Sequence, residues 1–233
     1  MIESVTSCFK RVGGKEICDF CNNFLIKYGK SAANKVRFKC KFCNKTQVEN
    51  YTYKAYLPNL NNNIIQFTKE GLGIRSTARI LKISTTTLLR RIVTIAKKIP
   101  NQPIYKYKSY EVDEIRTFIR NKEKPIWIVY ALERETKQVV NFSIGRRTKR
   151  TLQYVTNSLL LSNPKKVYTD NLVHYKSLLN TTVHNTKPFS TTNHIERKNL
   201  SLRTHLKRLN RKTICFSRSF ILLNCVLRIY FWG

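Results

Sequence analysis

Four of the seven cysteines fall into two Cys-x2-Cys pairs, Cys18-Asp19-Phe20-Cys21 and Cys40-Lys41-Phe42-Cys43, with eighteen residues between them. Each pair can form a tight knuckle presenting two sulfurs, and the intervening chain is long enough to return as a hairpin. The spacing therefore predicts a four-thiolate Zn2+ site at Cys18, Cys21, Cys40 and Cys43. Zinc there would replace a core that the segment lacks. The alternative is four unligated thiols. Of the remaining cysteines, Cys8 stands outside the pattern, while Cys215 and Cys225 lie in an apolar stretch and read as core.

Carboxylates are the second chemical signal. Only 13 Asp and Glu occur in 233 residues, so their positions carry information. Asp113 ends a predicted strand, Asp170 ends another, and Glu196 opens a predicted helix. Strands ending at one sheet edge can bring their last side chains together, and a helix across that edge can add a third. Such a cluster repels itself unless divalent cations compensate, and Mg2+ prefers oxygen ligands. Two such ions about 3.5–4 Å apart suit phosphodiester chemistry. Each residue also has a structural reading: Asp170 could cap a helix beginning at Asn171, Asn193 with Glu196 has capping-box spacing, and Asp113 could be a solvated strand end.

The elements that must position these groups follow from periodicity. Residues 50–63 mix aromatics with Pro58 and an Asn run and read as a link. From Ile64 to Lys98 the apolar spacing predicts three short helices. Gly71 and Gly73 close the first, Ile74 to Leu81 forms the second, Lys82-Ile83-Ser84 turns the chain, and the third runs from Thr85 to Lys98. This is the layout of a helix-turn-helix, in which the second helix braces a third lying in the major groove. Leu88, Ile92 and Ile95 would face inward, leaving Thr85, Thr86, Thr87, Arg90 and Arg91 toward DNA. An ordinary three-helix bundle with a solvated basic face is the alternative.

After Pro103 the texture becomes β-branched and aromatic. Lys108 to Glu114, Ile126 to Leu132, Val139 to Gly145 and Lys166 to Thr169 are predicted strands. Helices are predicted over Leu152 to Leu161, Leu172 to Leu179, Asn193 to Leu209 and Ser217 to Phe231. The order β-β-β-α-β-α followed by helices gives an α/β layer architecture with a mixed sheet. On the Asn193 helix, Glu196, Asn199 and Arg203 share a face at i, i+3 and i+7. Leu202, Leu206 and Leu209 form a neighbouring apolar stripe.

Charge narrows the partner. Lys plus Arg number 44, giving a formal charge of +31. Such a field attracts polyanions. No stretch reaches the roughly 18 apolar residues of a membrane span, and Met1 to Lys10 carries no apolar signal region. Nucleic acid is the expected partner, a membrane is not, and the expected location is cytoplasmic, at the nucleoid.

The succession of Cys-x2-Cys pairs, helix-turn-helix, YEVDE, VYTDN and NHIERKNLSLRTHLKRLNRKT resembles the insertion sequence 1 family of bacterial DDE transposases across nearly the whole chain. The resemblance implies a zinc-binding module over 1–50, a linker over 51–63, a helix-turn-helix domain over 64–100 and a ribonuclease-H-like catalytic domain over 104–233. It further implies that Asp113, Asp170 and Glu196 are the metal-binding triad, served by Mg2+ or Mn2+. Arg203 stands where related enzymes often carry a basic residue near substrate DNA, and Lys207 is a further expected phosphate contact. The family commonly joins two reading frames by frameshifting, whereas this sequence is continuous. The implied function is cleavage and strand transfer at terminal inverted repeats by a homo-oligomer in a synaptic complex. Two other classes compete: a non-catalytic DNA-binding regulator or decayed transposase, and a tyrosine recombinase. Twelve tyrosines permit the latter, but no arginine and histidine set surrounds any of them.

Overall fold

The computed structural model describes residues 10–49, 53–170, 172–179, 183–185, 193–210, 212–213 and 215–233. Cys8 and Asn171 lie outside them. The chain divides into two compact units. The first ends at Leu60 and takes in Leu81–Ile83; the second comprises Asn61–Ile80 and Ser84–Gly233.

In the first unit a hairpin of β1 (Lys10–Val12) and β2 (Lys15–Ile17) precedes a three-stranded antiparallel sheet of β3 (Leu25–Lys30), β4 (Val36–Cys40) and β5 (Thr46–Val48). Its apolar core is very small: Cys18, Leu25, Phe38 and Cys40, with Cys21, Val36 and Cys43 against them. A core of this size rarely holds a fold without a metal or disulfide.

The second unit opens with α1 (Leu60–Lys69), whose first residue lies at the boundary, followed by α2 (Ile74–Ile80) and α3 (Thr85–Lys98). The α1 helix begins inside the stretch expected to be a linker. Leu60 and Ile64, one turn apart, are both buried, and that periodicity carries Asn61–Asn63 into the helix despite their turn preference. In α3 the Ser84 side chain accepts a hydrogen bond from the Thr87 amide and caps the N-terminus. Leu88, Ile92, Ile95 and Ala96 form its buried face.

A five-stranded sheet follows, built from β6 (Ser109–Ile119), β7 (Asn121–Glu133), β8 (Val139–Gly145), β9 (Lys166–Tyr168) and β10 (His184–Asn185), in the order β10-β9-β6-β7-β8. The first three strands form an antiparallel meander, and β9 and β10 add in parallel. Between β8 and β9 runs α4 (Lys149–Leu160). After β9 come α5 (Val173–Leu178), α6 (Asn193–His205), a short 3-10 turn over Lys207–Leu209, and α7 (Phe220–Trp232).

Alternation along the strands separates two sheet faces. On one, Tyr110, Val112, Val129, Ala131 and Val140 pack with Leu152, Val155 and Leu159 of α4 and Tyr175 of α5. On the other, Tyr130 lies near Phe231 of α7, and Phe142 packs against Phe231 and Trp232.

Three expectations are corrected here. Asp113 does not end its strand, because β6 pairs with β7 as far as Ile119 opposite Asn121, burying Ile115 and Phe118 beyond it. Cys215 is exposed, whereas Cys225 is buried within α7. The Asn193 helix also stops at His205, and Leu209 is buried by the 3-10 turn instead.

Candidate functional site

Four cysteines are placed where they could hold a metal ion. All four sulfurs lie within 4.8 Å of one another, with Cys18 Sγ 3.6 Å from Cys43 Sγ and Cys21 Sγ 3.4 Å from Cys40 Sγ. A tetrahedron with Zn–S bonds of about 2.3 Å has sulfur–sulfur edges of about 3.8 Å, so the cluster fits Zn2+. The two knuckles share a backbone device: Asn22 and Asn44, each following the second cysteine of its pair, adopt left-handed φ of 57° and 56°. Asparagine tolerates that conformation. The amide of Cys18 donates to Asn23 O and that of Cys40 to Lys45 O, closing each turn. Backbone hydrogen bonding at Asn23 holds the Cys21 thiol down to about 6.

The carboxylates are arranged around β6. One oxygen of Asp113 accepts from the Glu114 amide at 2.7 Å, and the other from Asn199 Nδ2 of α6 at 2.6 Å. Burial pushes the Asp113 carboxyl up to about 6, and the nearby charges of Glu114 and Asp170 add to the rise. Asp170, exposed just after β9, accepts from the Leu172 amide at 3.1 Å. It makes a local turn into α5, whose N-cap is Leu172. Glu196 is exposed in the first turn of α6. Hard oxygen donors of this kind suit Mg2+. Among the described residues, however, only the four cysteines bring three or more ligand atoms within 4.8 Å, so the three carboxylates do not form one tight cluster.

The α6 helix is fixed to the sheet by groups that sequence reasoning passed over. Glu111, fully buried, accepts from the Ile195 amide at 2.9 Å. It thereby satisfies one of the orphan donors at the helix start. Arg134 Nε lies 3.0 Å from Glu111, and its guanidinium lies over the Tyr168 ring. Tyr130 donates to Asn199 Oδ1 at 2.7 Å and lies 3.2 Å from Ile195 O. On the opposite face Glu114 accepts from Tyr175 at 2.8 Å and from Arg147, which also reaches to 3.8 Å from Asp170 and lies over Trp127. The one signal for Glu111 and Glu114 was their rarity as acids in apolar strands.

Arg203 lines a cavity of about 510 Å³ with Glu114, Arg116, Thr117, Phe118, Lys122, Trp127 and Asn210. Its Nε is buried without a hydrogen-bond partner among the described residues. Lys207 is exposed in the 3-10 turn. On α3, Thr86 and Arg90 are exposed and Arg91 is half-buried, while Thr87 is engaged by the Ser84 cap.

The C-terminus of α3 is held by α7. Arg228 donates from Nε to Ala96 O and from Nη2 to Ile99 O, meeting carbonyls that a helix end leaves unsatisfied. At the other side of the helical region Gly71, with φ of 74°, presses against the end of α6. A Cβ there would lie 1.8 Å from His205 O.

Residues 108–232, from the start of β6 to the end of α7 and more than half of the chain, match the model for the IS1 transposase. Residues 51–94 match the model for the InsA C-terminal domain. The protein named insertion element iso-IS1n protein InsB from Shigella dysenteriae is 38% identical over 109 residues, which cover 47% of this chain and 82% of that one. Insertion element IS1 protein InsB from Shigella flexneri is 36% identical over 121 residues, 52% of this chain and 91% of that one. A chain of the simian T-cell lymphotropic virus intasome, solved with the PP2A regulatory subunit B56 gamma, is similar over 70% of this chain and 66% of its own, with 15% identity and a TM-score of 0.38. The matched regions define a transposase with a helix-turn-helix DNA-binding region. The chain belongs to the IS1 transposase family. Its one continuous sequence carries the InsA-like segment ahead of the InsB-like one.

Proposed function

We propose that the protein is a DDE transposase that binds the terminal inverted repeats of its element and performs cleavage and strand transfer on DNA in the bacterial cytoplasm. The observation that carries this reading is the tie between β6 and α6: Asn199 holds Asp113, and the same helix presents Glu196 three residues earlier. Asp170 is close enough for its charge to act on Asp113. The sheet order, an antiparallel meander extended by two parallel strands, supports a ribonuclease-H-like assignment.

In this reading Asp113, Asp170 and Glu196 hold Mg2+ or Mn2+. When bound, the metal supplies an activated oxygen nucleophile and charge stabilisation at the leaving oxygen. The chain's own groups set the stage for it. Burial of Glu111 beneath the α6 N-terminus fixes where Glu196 emerges, and Tyr130 fixes Asn199, which orients the Asp113 carboxylate. Arg147 neutralises Glu114 and faces Asp170, restraining the repulsion among three acids. Arg203 and Lys207 meet phosphates, and the exposed Thr86 and Arg90 of α3, with Arg91 beside them, read the repeat in the major groove. A homo-oligomer would pair the two element ends.

The test is chemical. Asp113→Asn, Asp170→Asn and Glu196→Gln keep shape and remove one charge each. With DNA bearing the native element ends and Mg2+, each variant should lose cleavage and strand transfer by orders of magnitude, while repeat binding in a gel-shift assay is retained. Near-normal strand transfer by one variant removes that residue from the site. Intact binding by a wild-type protein inactive with Mg2+ or Mn2+ identifies a DNA-binding regulator instead.

A further inference from the structure

The first unit displays an unusual sheet face. Leu25, Phe38 and Cys40 point into the small core, so alternation sends Phe24, Ile26, Arg37 and Lys39 to the other side. Phe24 is 63% exposed, Ile26 39% and Tyr28 46%. The rings are attended by cations: Lys15 Nζ lies 5.3 Å from the Phe24 ring, while Arg37 and Lys39 lie 5.5 and 5.3 Å from that of Tyr28. Residues 10–49 carry ten Lys and Arg against three Asp and Glu. Two aromatic rings and an isoleucine in water on one small sheet are costly unless something covers them, and the surrounding charge requires an anionic cover.

We infer that this face binds single-stranded DNA, stacking unpaired bases on Phe24 and Tyr28 while Lys15, Arg37 and Lys39 contact the backbone. Phe24 and Tyr28 are four residues apart, which along a strand is about 13 Å, and bases splayed from an unpaired strand can meet rings at that interval. A duplex hides its base faces in a stack with about 3.4 Å per step, offering the rings nothing but phosphate and sugar. Aromatic side chains beside a basic track are the combination that binds unpaired strands without sequence preference. It uses none of the carboxylates and none of the α3 side chains assigned to duplex reading. It extends the DNA-binding reading to a strand state that cleavage at a duplex end produces.

Fluorescence anisotropy with the zinc-loaded full chain tests the inference, without added Mg2+ so that cleavage plays no part. Three labelled probes are compared: a twelve-residue oligothymidine, an abasic phosphodiester strand of equal length, and a twelve-base-pair duplex. The wild type should bind oligothymidine about tenfold or more tighter than the abasic strand. Phe24→Leu/Tyr28→Leu, which keeps apolar bulk without rings, should erase that difference, retain its zinc, and leave duplex affinity within about twofold. Arg37→Gln/Lys39→Gln should weaken binding to both single strands and flatten its salt dependence. Equal wild-type affinity for the base-bearing and abasic strands overturns the inference. So does a ring variant that discriminates as well as wild type, or one that loses duplex affinity in parallel. Loss of self-association by the ring variant in sedimentation, with base discrimination unchanged, assigns the face to a second copy. Failure of any of these leaves the triad experiments untouched.

Discussion

Asp113 is held against its own chemistry. Burial raises its carboxyl to about 6 from an ordinary value of 3.8, so the folded chain binds that proton more tightly than the unfolded chain does. Stability from this group is therefore full below about pH 4 and is lost as pH rises through 6. Asp113→Asn, compared with wild type by thermal melting without added divalent salt, should raise Tm at pH 7.5 and leave it nearly unchanged at pH 4. A Tm difference of the same size at both pH values would contradict the assigned environment. Glu114 is a second case in point. Alternation predicts that it faces away from Asp113, and it does, yet it is buried with Tyr175 and Arg147 and still acts electrostatically on its neighbour. Spacing could identify Asp113, Asp170 and Glu196 as candidates because acids are scarce in this chain, although Asp113 lies inside β6 and not at its end. It could not identify Glu111 or Arg147, whose partners lie 84 and 33 residues away in the chain.

At the scale of elements, the helices over residues 74–98 were legible because their apolar spacing and the Ser84 cap are local signals. The start of α1 was not, because an Asn run resembles a loop until the burial of Leu60 and Ile64 overrides it. Equally invisible was the docking of these helices within the second unit: the Arg228 bonds to Ala96 and Ile99 span 132 and 129 residues. Gly71 is the most demanding point in this contact, combining a positive φ with no room for a Cβ beside His205 O. Gly71→Ala should cost about 2–4 kcal/mol, and Arg228→Met about 1–3 kcal/mol. Hydrogen exchange should accelerate in α3 for the Arg228 variant while the amides of β6 and β7 stay protected. Uniform acceleration across the unit would show that the contact is not local.

For the molecule as a whole, two units mean two sources of stability. The first unit has almost no apolar core and depends on its thiolates; the second is built on a sheet covered on both faces. Zinc removal by a strong chelator, or Cys40→Ser, should therefore melt residues 10–49 while the second unit keeps its transition. Metal analysis of natively purified protein should find one zinc per chain, and its absence would refute the site. The Cys-x2-Cys spacing made this unit readable from the sequence, since ligand geometry leaves few alternatives. The docking of the helix-turn-helix within the second unit was unreadable, because its contacts, those of Arg228 and Gly71 with distant carbonyls among them, join residues far apart in the chain. That attachment has a consequence for where DNA would be cut. With α3 clamped to α7, and the α1–α2 corner seated on the helix that carries Glu196, the span between reading head and blade is set by packed side chains rather than by a floppy tether. Under the proposed function the protein would work as a ruler: the cut would fall a constant number of base pairs from the sequence read, and lengthening the DNA between them by half a helical turn would put the scissile phosphate on the wrong side.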